Sequence, residues 1–428
     1  MNKPICVISG PVATRSGYGS HARDLTLSLI KMDRYDVKII SMRWGNCPMN
    51  ALNPENENDR LILDRILTQS ISQQPDIWIQ VSVPNEFQKI GKYNIGITAG
   101  IETTVMPIDW VKGCNNMDLI LVPSEHSKTT MLNSKYQEQH KQTGQVVGMY
   151  QVDTPVEVLF EGSDVSVYND KYNPDAELEL QMDGIEEDFN YLFVGHWLEG
   201  EIGHDRKDVG MMIKTLLTVF KNKPNQPGLI IKSSRATFSI IDRVELANRI
   251  DAIKKSMSGD LPNVYLLHGD LTDDQMNSLY NHPKVKAMVS FTKGEGYGRP
   301  LQEFMFTGKP IIASNWSGHI DFLSDYAELV GGKMEKVHKS ARNKFLLKES
   351  NWFTVDYNAA AQLINAVYDD YSGVTEKTKK LARDKRKKFS LSAMHDKFDE
   401  LMKENVKVTE HKELVLPELK LPKLKMTS

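Results

Sequence analysis

Two glutamates stand eight positions apart in Lys293-Gly294-Glu295-Gly296-Tyr297-Gly298-Arg299-Pro300-Leu301-Gln302-Glu303, and by type and spacing they are the residues of this chain best suited to chemistry. The segment follows an apolar strand candidate, Ala287 to Phe291, and runs into a helix. Pro300 suits the first helical position, where its missing N–H costs nothing. Gly296 and Gly298 let the backbone turn tightly and approach a ligand closely. Free N–H groups and the helix dipole would then face a phosphate. Glu295 on the loop and Glu303 on the helix would look into one cleft. Carboxylates are poor phosphate ligands but accept hydrogen bonds from sugar hydroxyls. The pattern reads as a nucleotide-sugar site.

Taken with Gly308-Lys309-Pro310-Ile311-Ile312-Ala313-Ser314, the segment resembles the E-x7-E motif of retaining glycosyltransferases of the GT-B fold, particularly family 4. The resemblance implies that Glu295 contacts the donor sugar and Glu303 the nucleotide ribose, with Gly296, Tyr297 and Gly298 lining the donor. Val194-Gly195-His196, followed by Arg206-Lys207, resembles the family's G-R … K-G segment, whose cations bind the donor diphosphate. Lys207 takes the lysine position and His196 stands where the family has arginine. Arg206 can supply the missing guanidinium, whose fork suits phosphate oxygens. Gly17 and Gly19 match the glycine-rich loop that packs on the donor from the opposite domain. Glu161-Gly162-Ser163-Asp164 resembles the N-G-V-D that closes the first domain. Glu102 lies near the position where many relatives carry a histidine on the sugar, and is the polar candidate there for a donor- or acceptor-side role. Lys232, just past a strand, is a further phosphate candidate or a snorkelling surface lysine. Trp316, Ser317, Gly318 and His319 are candidates for the nucleotide or acceptor edge that read equally as ordinary loop residues, while His126, just past Val122, reads as a surface histidine before a cleft one.

These side chains need a scaffold, and short apolar strands alternating with helices supply one. Strand candidates are Ile5 to Ser9, Val37 to Ser41, Ile77 to Val81, Tyr93 to Thr98 and Leu119 to Val122, then Tyr191 to Val194, Leu229 to Lys232, Val264 to Leu267, Ala287 to Phe291 and Pro310 to Ala313. Such alternation marks parallel sheets covered by helices on both faces. The expected fold class is therefore α/β, and the resemblance makes it GT-B: two doubly wound Rossmann-like domains facing across a cleft, with a C-terminal helix crossing back to the first domain. The expected divisions are an acceptor-side domain over 1–165, a nucleotide-sugar domain over 190–375, basic and crossover helices over 376–405, and an extended or disordered tail over 406–428. The Asn-rich stretch Pro48 to Arg60 reads as a loop, and the chain is expected to turn helical from Trp352.

The 428 residues carry a formal net charge of −3, so any polyanion site must be a local patch. Three cysteines, Cys6, Cys47 and Cys114, lack metal-ligand spacing and suit a reducing cytoplasm. No apolar run reaches membrane-spanning length. No D-x-D pair occurs to hold a diphosphate-bridging cation, so the expected donor, a UDP-sugar, would bind without metal or further cofactor. The acceptor is expected to be a hydroxyl: hydroxymethylcytosine in bacteriophage DNA, within the host cytoplasm, or a saccharide or glycolipid. Lys377 to Lys388, eight Lys/Arg against one Asp, and the lysine-bearing tail suit DNA phosphates. A non-catalytic sugar-binding or scaffold protein is the alternative from another class.

Overall fold

The structure is a computed structural model describing residues 3–407, apart from 70, 72, 141, 142, 236 and 237. The expected tail lies outside the described residues except for its first two. Two parallel six-stranded sheets organise the chain. The first runs Asp36–Ser41, Ile5–Gly10, Ile77–Val81, Tyr93–Ile97, Leu119–Val122, Val156–Val158, in that spatial order. The second runs Val264–Leu267, Gly228–Lys232, Asn190–Val194, Val285–Ser290, Ile311–Ser314, Glu328–Val330. All neighbours in both are parallel. Strands buried on both faces read as unbroken apolar runs. Leu119–Val122, buried at every position, is such a strand.

Each sheet reverses its winding at one point: between Ile5–Gly10 and Ile77–Val81 in the first, and between Asn190–Val194 and Val285–Ser290 in the second. Ligands of such sheets bind beyond the carboxyl ends of the strands at this switch. The loop with Gly17 and Gly19 leaves the first switch strand. The loops with Lys207 and Glu295 leave the two strands of the second.

The helix Tyr371–Lys388 lies on the second domain, where Ala382 and Phe389 join its core. The helix Leu391–Asn405 buries Met394, Phe398, Leu401 and Met402 among first-domain residues such as Leu25 and Leu29. The crossing occurs at Ser390, and Gly162 makes room for it: a Cβ there would lie 2.7 Å from the Leu391 Cα. The Leu391 N–H donates to the Ser163 carbonyl at 2.8 Å, completing the join.

Three local readings change. The helix Glu57–Leu63 begins inside the stretch read as loop, because the Asn56 side chain caps it by accepting the Asp59 N–H at 3.1 Å. Asn351–Val355, containing Trp352, is a strand paired antiparallel with Gly332–Lys336, and helix starts only at Tyr357. The antiparallel pair Tyr136–Gln139 and Val146–Tyr150 lacks a clear sequence signal, since it is mostly polar or exposed.

Candidate active site in the interdomain cleft

The strand Val285–Ser290 delivers the chain to a buried loop that ends at the helix Arg299–Met305. Its neighbour Asn190–Val194 leads through a longer loop to the helix Val209–Phe220, anchored by Val209, Met212, Ile213, Leu216, Leu217 and Phe220. These adjacent strands bring Lys207 and Glu295 together. The Lys207 ammonium bonds Glu295 Oε1. Arg206 Nη1 donates to Glu295 Oε2 at 3.3 Å and to the Gly294 carbonyl at 2.9 Å, while its Nη2 lies 3.6 Å from Glu102 Oε1 of the first domain. Four candidate side chains, Glu295, Lys207, Arg206 and Glu102, thus form one cluster.

Burial alone would raise the Glu295 carboxyl, but the charges of Lys207 and Arg206 outweigh it and hold the group at about 2. Burial lowers the Lys207 ammonium, with Glu295 pulling back against it. Burial also lowers Arg206, but Glu102 and Glu295 together leave it above its ordinary value. The result is a desolvated carboxylate facing two cations, which strengthens every charge interaction made there.

Glu303 sits at a second centre. Arg299 Nε donates to its Oε1 at 3.1 Å and the Tyr280 hydroxyl to its Oε2 at 3.1 Å. Arg299 Nη1 reaches Asp24 Oδ2 of the first domain at 2.9 Å. Burial pushes the Glu303 carboxyl up to about 7, against the pull of Arg299. Glu161 is likewise raised to about 7 by burial, with Arg299 opposing. Arg299, Asp24 and Tyr280 escaped sequence reading. A cation in the first turn of a helix, where the dipole disfavours it, was the available signal for Arg299.

The motif glycines meet protein rather than open space. A Cβ on Gly296 would lie 1.8 Å from the Ala99 carbonyl oxygen, and one on Gly294 1.9 Å from that of Glu102. The Ser124 hydroxyl donates to the Gly296 carbonyl at 2.6 Å. The glycines therefore let the two domains touch beside the acidic cluster. Gly298 has φ 101°, a glycine conformation, and caps the helix. Pro300 is the second helical residue, and the N–H groups of Leu301 and Gln302 are already taken by the Gly298 carbonyl at 3.0 and 3.3 Å. The helix has seven residues. This helix end therefore has fewer free N–H groups to offer an anion than its position in the sequence suggests.

The remaining candidates divide. Tyr297 turns away from the cleft: it is buried against Phe322, with its hydroxyl bonded to Gln302, so only its backbone borders the loop. His196 Nδ1 lies 3.0 Å from Ser234 Oγ, and burial, then the Lys207 charge, lowers its pKa. Burial thus disfavours the charged form of the imidazole at this position. Lys232 donates to the Gly269 carbonyl at 2.5 Å, and burial lowers it to about 8. Ser16 caps the helix Gly17–Met32 by accepting the Gly19 N–H at 3.0 Å, while Gly17 faces open space. His126 stacks edge-on against Trp316 across the domains, centroids 4.6 Å apart. Ser317 accepts the Glu295 N–H at 2.9 Å, and His319 is fully buried. Among the described residues no group of three or more His, Cys, Asp or Glu is arranged to hold a metal ion. No helix among them is long and apolar enough to cross a membrane.

No family model matches the sequence, and no curated protein does. Solved structures do. A glycosyltransferase from Rickettsia africae aligns over 96% of this chain and 100% of its own, with TM-score 0.61 and 14% identity. The Anabaena protein HepE in complex with UDP-glucose aligns over 94% and 100%, with TM-score 0.57 and 12% identity. Sucrose-phosphate synthase from Thermosynechococcus elongatus aligns over 94% and 99%, with TM-score 0.57 and 13% identity. At such identity the likeness speaks for architecture: the two parallel sheets are the two Rossmann-like domains of the GT-B glycosyltransferase fold.

Proposed function

We propose that this protein is a retaining glycosyltransferase that moves a sugar from a UDP-sugar to a hydroxyl acceptor. The observation that carries the reading is the ionised, buried Glu295 held between Lys207 and Arg206 at the switch point of the second sheet. A donor diphosphate entering there draws on both cations, which neutralise charge on the leaving group without a divalent ion. Glu295 then accepts from donor-sugar hydroxyls, and Glu303 accepts from the ribose. Glu102, joined to the cluster through Arg206, borders the reacting centre from the first domain. In a front-face course a leaving phosphate oxygen takes the acceptor proton as the bond to the anomeric carbon breaks. A protein of this fold binds UDP-glucose in Anabaena, which makes UDP-glucose the first donor to try.

For the acceptor we propose hydroxymethylcytosine in duplex DNA. On the helix Tyr371–Lys388, Lys377, Lys379, Lys385 and Arg386 are paired with Glu328, Glu376, Asp325 and Asp170. Lys380, Arg383, Lys387 and Lys388 make no ion pair among the described residues and leave a cationic face for phosphates. A first-domain recess of about 400 Å³, lined by Ser9, Ile40, Met42, Trp78, Gln80, Glu86 and Gln88, has room for one acceptor ring. The test is UDP release and product mass with hydroxymethylated duplex, unmodified duplex and oligosaccharide acceptors, followed by the anomeric configuration of the product. Turnover on hydroxymethylated DNA alone supports the full reading. Turnover on oligosaccharide alone leaves the glycosyltransferase and removes the DNA acceptor. No turnover of any nucleotide-sugar favours a sugar-binding scaffold.

A further inference from the structure

Asp208 follows Lys207 directly and holds a left-handed backbone, φ 52° and ψ 36°. Its side chain is fully buried and paired with the equally buried Lys293, Nζ to Oδ2 3.2 Å. Lys293 in turn lies two residues before Glu295. The Lys293 ammonium also donates to Thr354 Oγ1 at 2.9 Å, and the Tyr357 hydroxyl donates to Asp208 Oδ2 at 2.7 Å. Backbone bonds join the same segments: Lys293 N–H to the Arg206 carbonyl at 2.7 Å, and Phe353 N–H to the Lys293 carbonyl at 2.9 Å. One ion pair thus ties together the loop carrying Lys207, the loop carrying Glu295 and the strand Asn351–Val355.

Stability alone is a weak reason for this arrangement. A buried ion pair seldom outperforms apolar side chains of similar volume. An aspartate in the left-handed region bears strain that glycine would avoid. Asp208 Oδ1 has no hydrogen-bond partner among the described residues. What the pair does provide is a fixed separation between two loops whose next side chains must meet. The turn at Asp208 also sets the direction in which the chain leaves Lys207.

We propose that Asp208 and Lys293 are positioning residues that set the register of Lys207 against Glu295, and through it the geometry of the donor site. The inference rests on the glycosyl-transfer reading for its consequence in catalysis. Both side chains are too buried to touch a donor.

The test is the double variant Asp208→Gly with Lys293→Met. Glycine accepts the backbone conformation, methionine fills most of the lysine volume, and no unpaired charge is left behind. The expected protein unfolds at or above the wild-type temperature, yet its kcat falls about 10–100-fold, since small misplacements of reacting groups cost that much. Donor KM should change far less. The Glu295 carboxyl, followed by carbon-13 NMR, should titrate well above its wild-type position. Wild-type kcat together with unchanged Glu295 titration would overturn the proposal. So would an activity loss that merely tracks loss of folded protein while Glu295 titrates as before. If the double variant does not fold, Asp208→Asn with Lys293→Met serves, because asparagine tolerates the left-handed region and again no charge is left unpaired; the same two readouts then decide. The titration needs no turnover, so a wild type inactive on every donor would sink the glycosyl-transfer reading while the NMR comparison still decides the pair.

Discussion

Arg299 bonds Glu303 through Nε at 3.1 Å and Asp24 of the opposite domain through Nη1 at 2.9 Å. The carboxylate proposed for the ribose is therefore tied, through one guanidinium, to the facing domain. After burial, Arg299 has the largest effect on Glu303, pulling its pKa down. Arg299→Met should leave Glu303 protonated at neutral pH and weaken nucleotide binding several-fold at pH 7. Calorimetric titration with UDP checks this; unchanged affinity would show that Arg299 has no hold on the site.

The pH dependence follows from the same groups. Glu303 and Glu161 are raised to about 7 in the folded protein, against about 4.3 for an unperturbed glutamate. Between those values the folded state binds more protons than the unfolded, so stability falls as pH rises. Glu295, held at about 2, acts oppositely: its contribution is present above the unfolded value and lost as pH drops toward 2. Thermal unfolding should therefore give a stability maximum on the acidic side of neutrality. UDP affinity should instead rise through about pH 7, as Glu303 ionises and accepts both ribose hydroxyls. Glu303→Gln should flatten that rise.

Gly296 and Gly17 predict opposite results for one substitution. A Cβ on Gly296 meets a backbone oxygen at 1.8 Å and neither side can yield without parting the domains. Gly296→Ala should cost about 1–3 kcal/mol, as overpacking does, and enlarge the radius of gyration in solution scattering. Gly17→Ala has nothing within 4 Å. It should leave stability within about 0.5 kcal/mol of wild type, and weaken donor binding if that loop packs on the donor.

The acceptor proposal separates into two variants. Reversing Lys380, Arg383, Lys387 and Lys388 to glutamate should weaken binding to duplex DNA and flatten its salt dependence by roughly 0.9 log unit per lost phosphate contact. Met42→Trp should fill the first-domain recess and raise the KM of any acceptor. An unchanged salt slope in the first variant would remove the basic helix from the account.

Much of the scaffold was legible because strands buried on both faces leave apolar runs, as Leu119 to Val122 and Ile311 to Ala313 do. The crossing helix was legible through Met394, Phe398, Leu401 and Met402, whose spacing marks one helical face. Polar or short elements were not, among them the hairpin from Tyr136 and the helix whose start depends on a single capping asparagine. In the site, residue types and spacing singled out Glu295, Glu303, Lys207 and Arg206, but partner choice was beyond sequence. Nothing in the spacing of Asp24 and Arg299, 275 positions apart, announces their contact. The same holds for Asp208 and Lys293. The sequence suggests that Gly296 makes room for a ligand, whereas it abuts the other domain. Tyr297 was read toward the donor, but strand-to-helix geometry turns its ring into the core.

The most direct test of the central claim is to measure donor affinity and single-turnover rate together in Glu303→Ala and Glu295→Gln. The account predicts that Glu303→Ala weakens UDP-sugar binding by about 1–3 kcal/mol, the cost of lost hydrogen bonds to a charged group. Glu295→Gln should bind donor within a few-fold of wild type, yet turn over at least about tenfold more slowly. Unchanged donor affinity in Glu303→Ala, or full turnover in Glu295→Gln, would contradict the division of binding and catalysis between the two carboxylates.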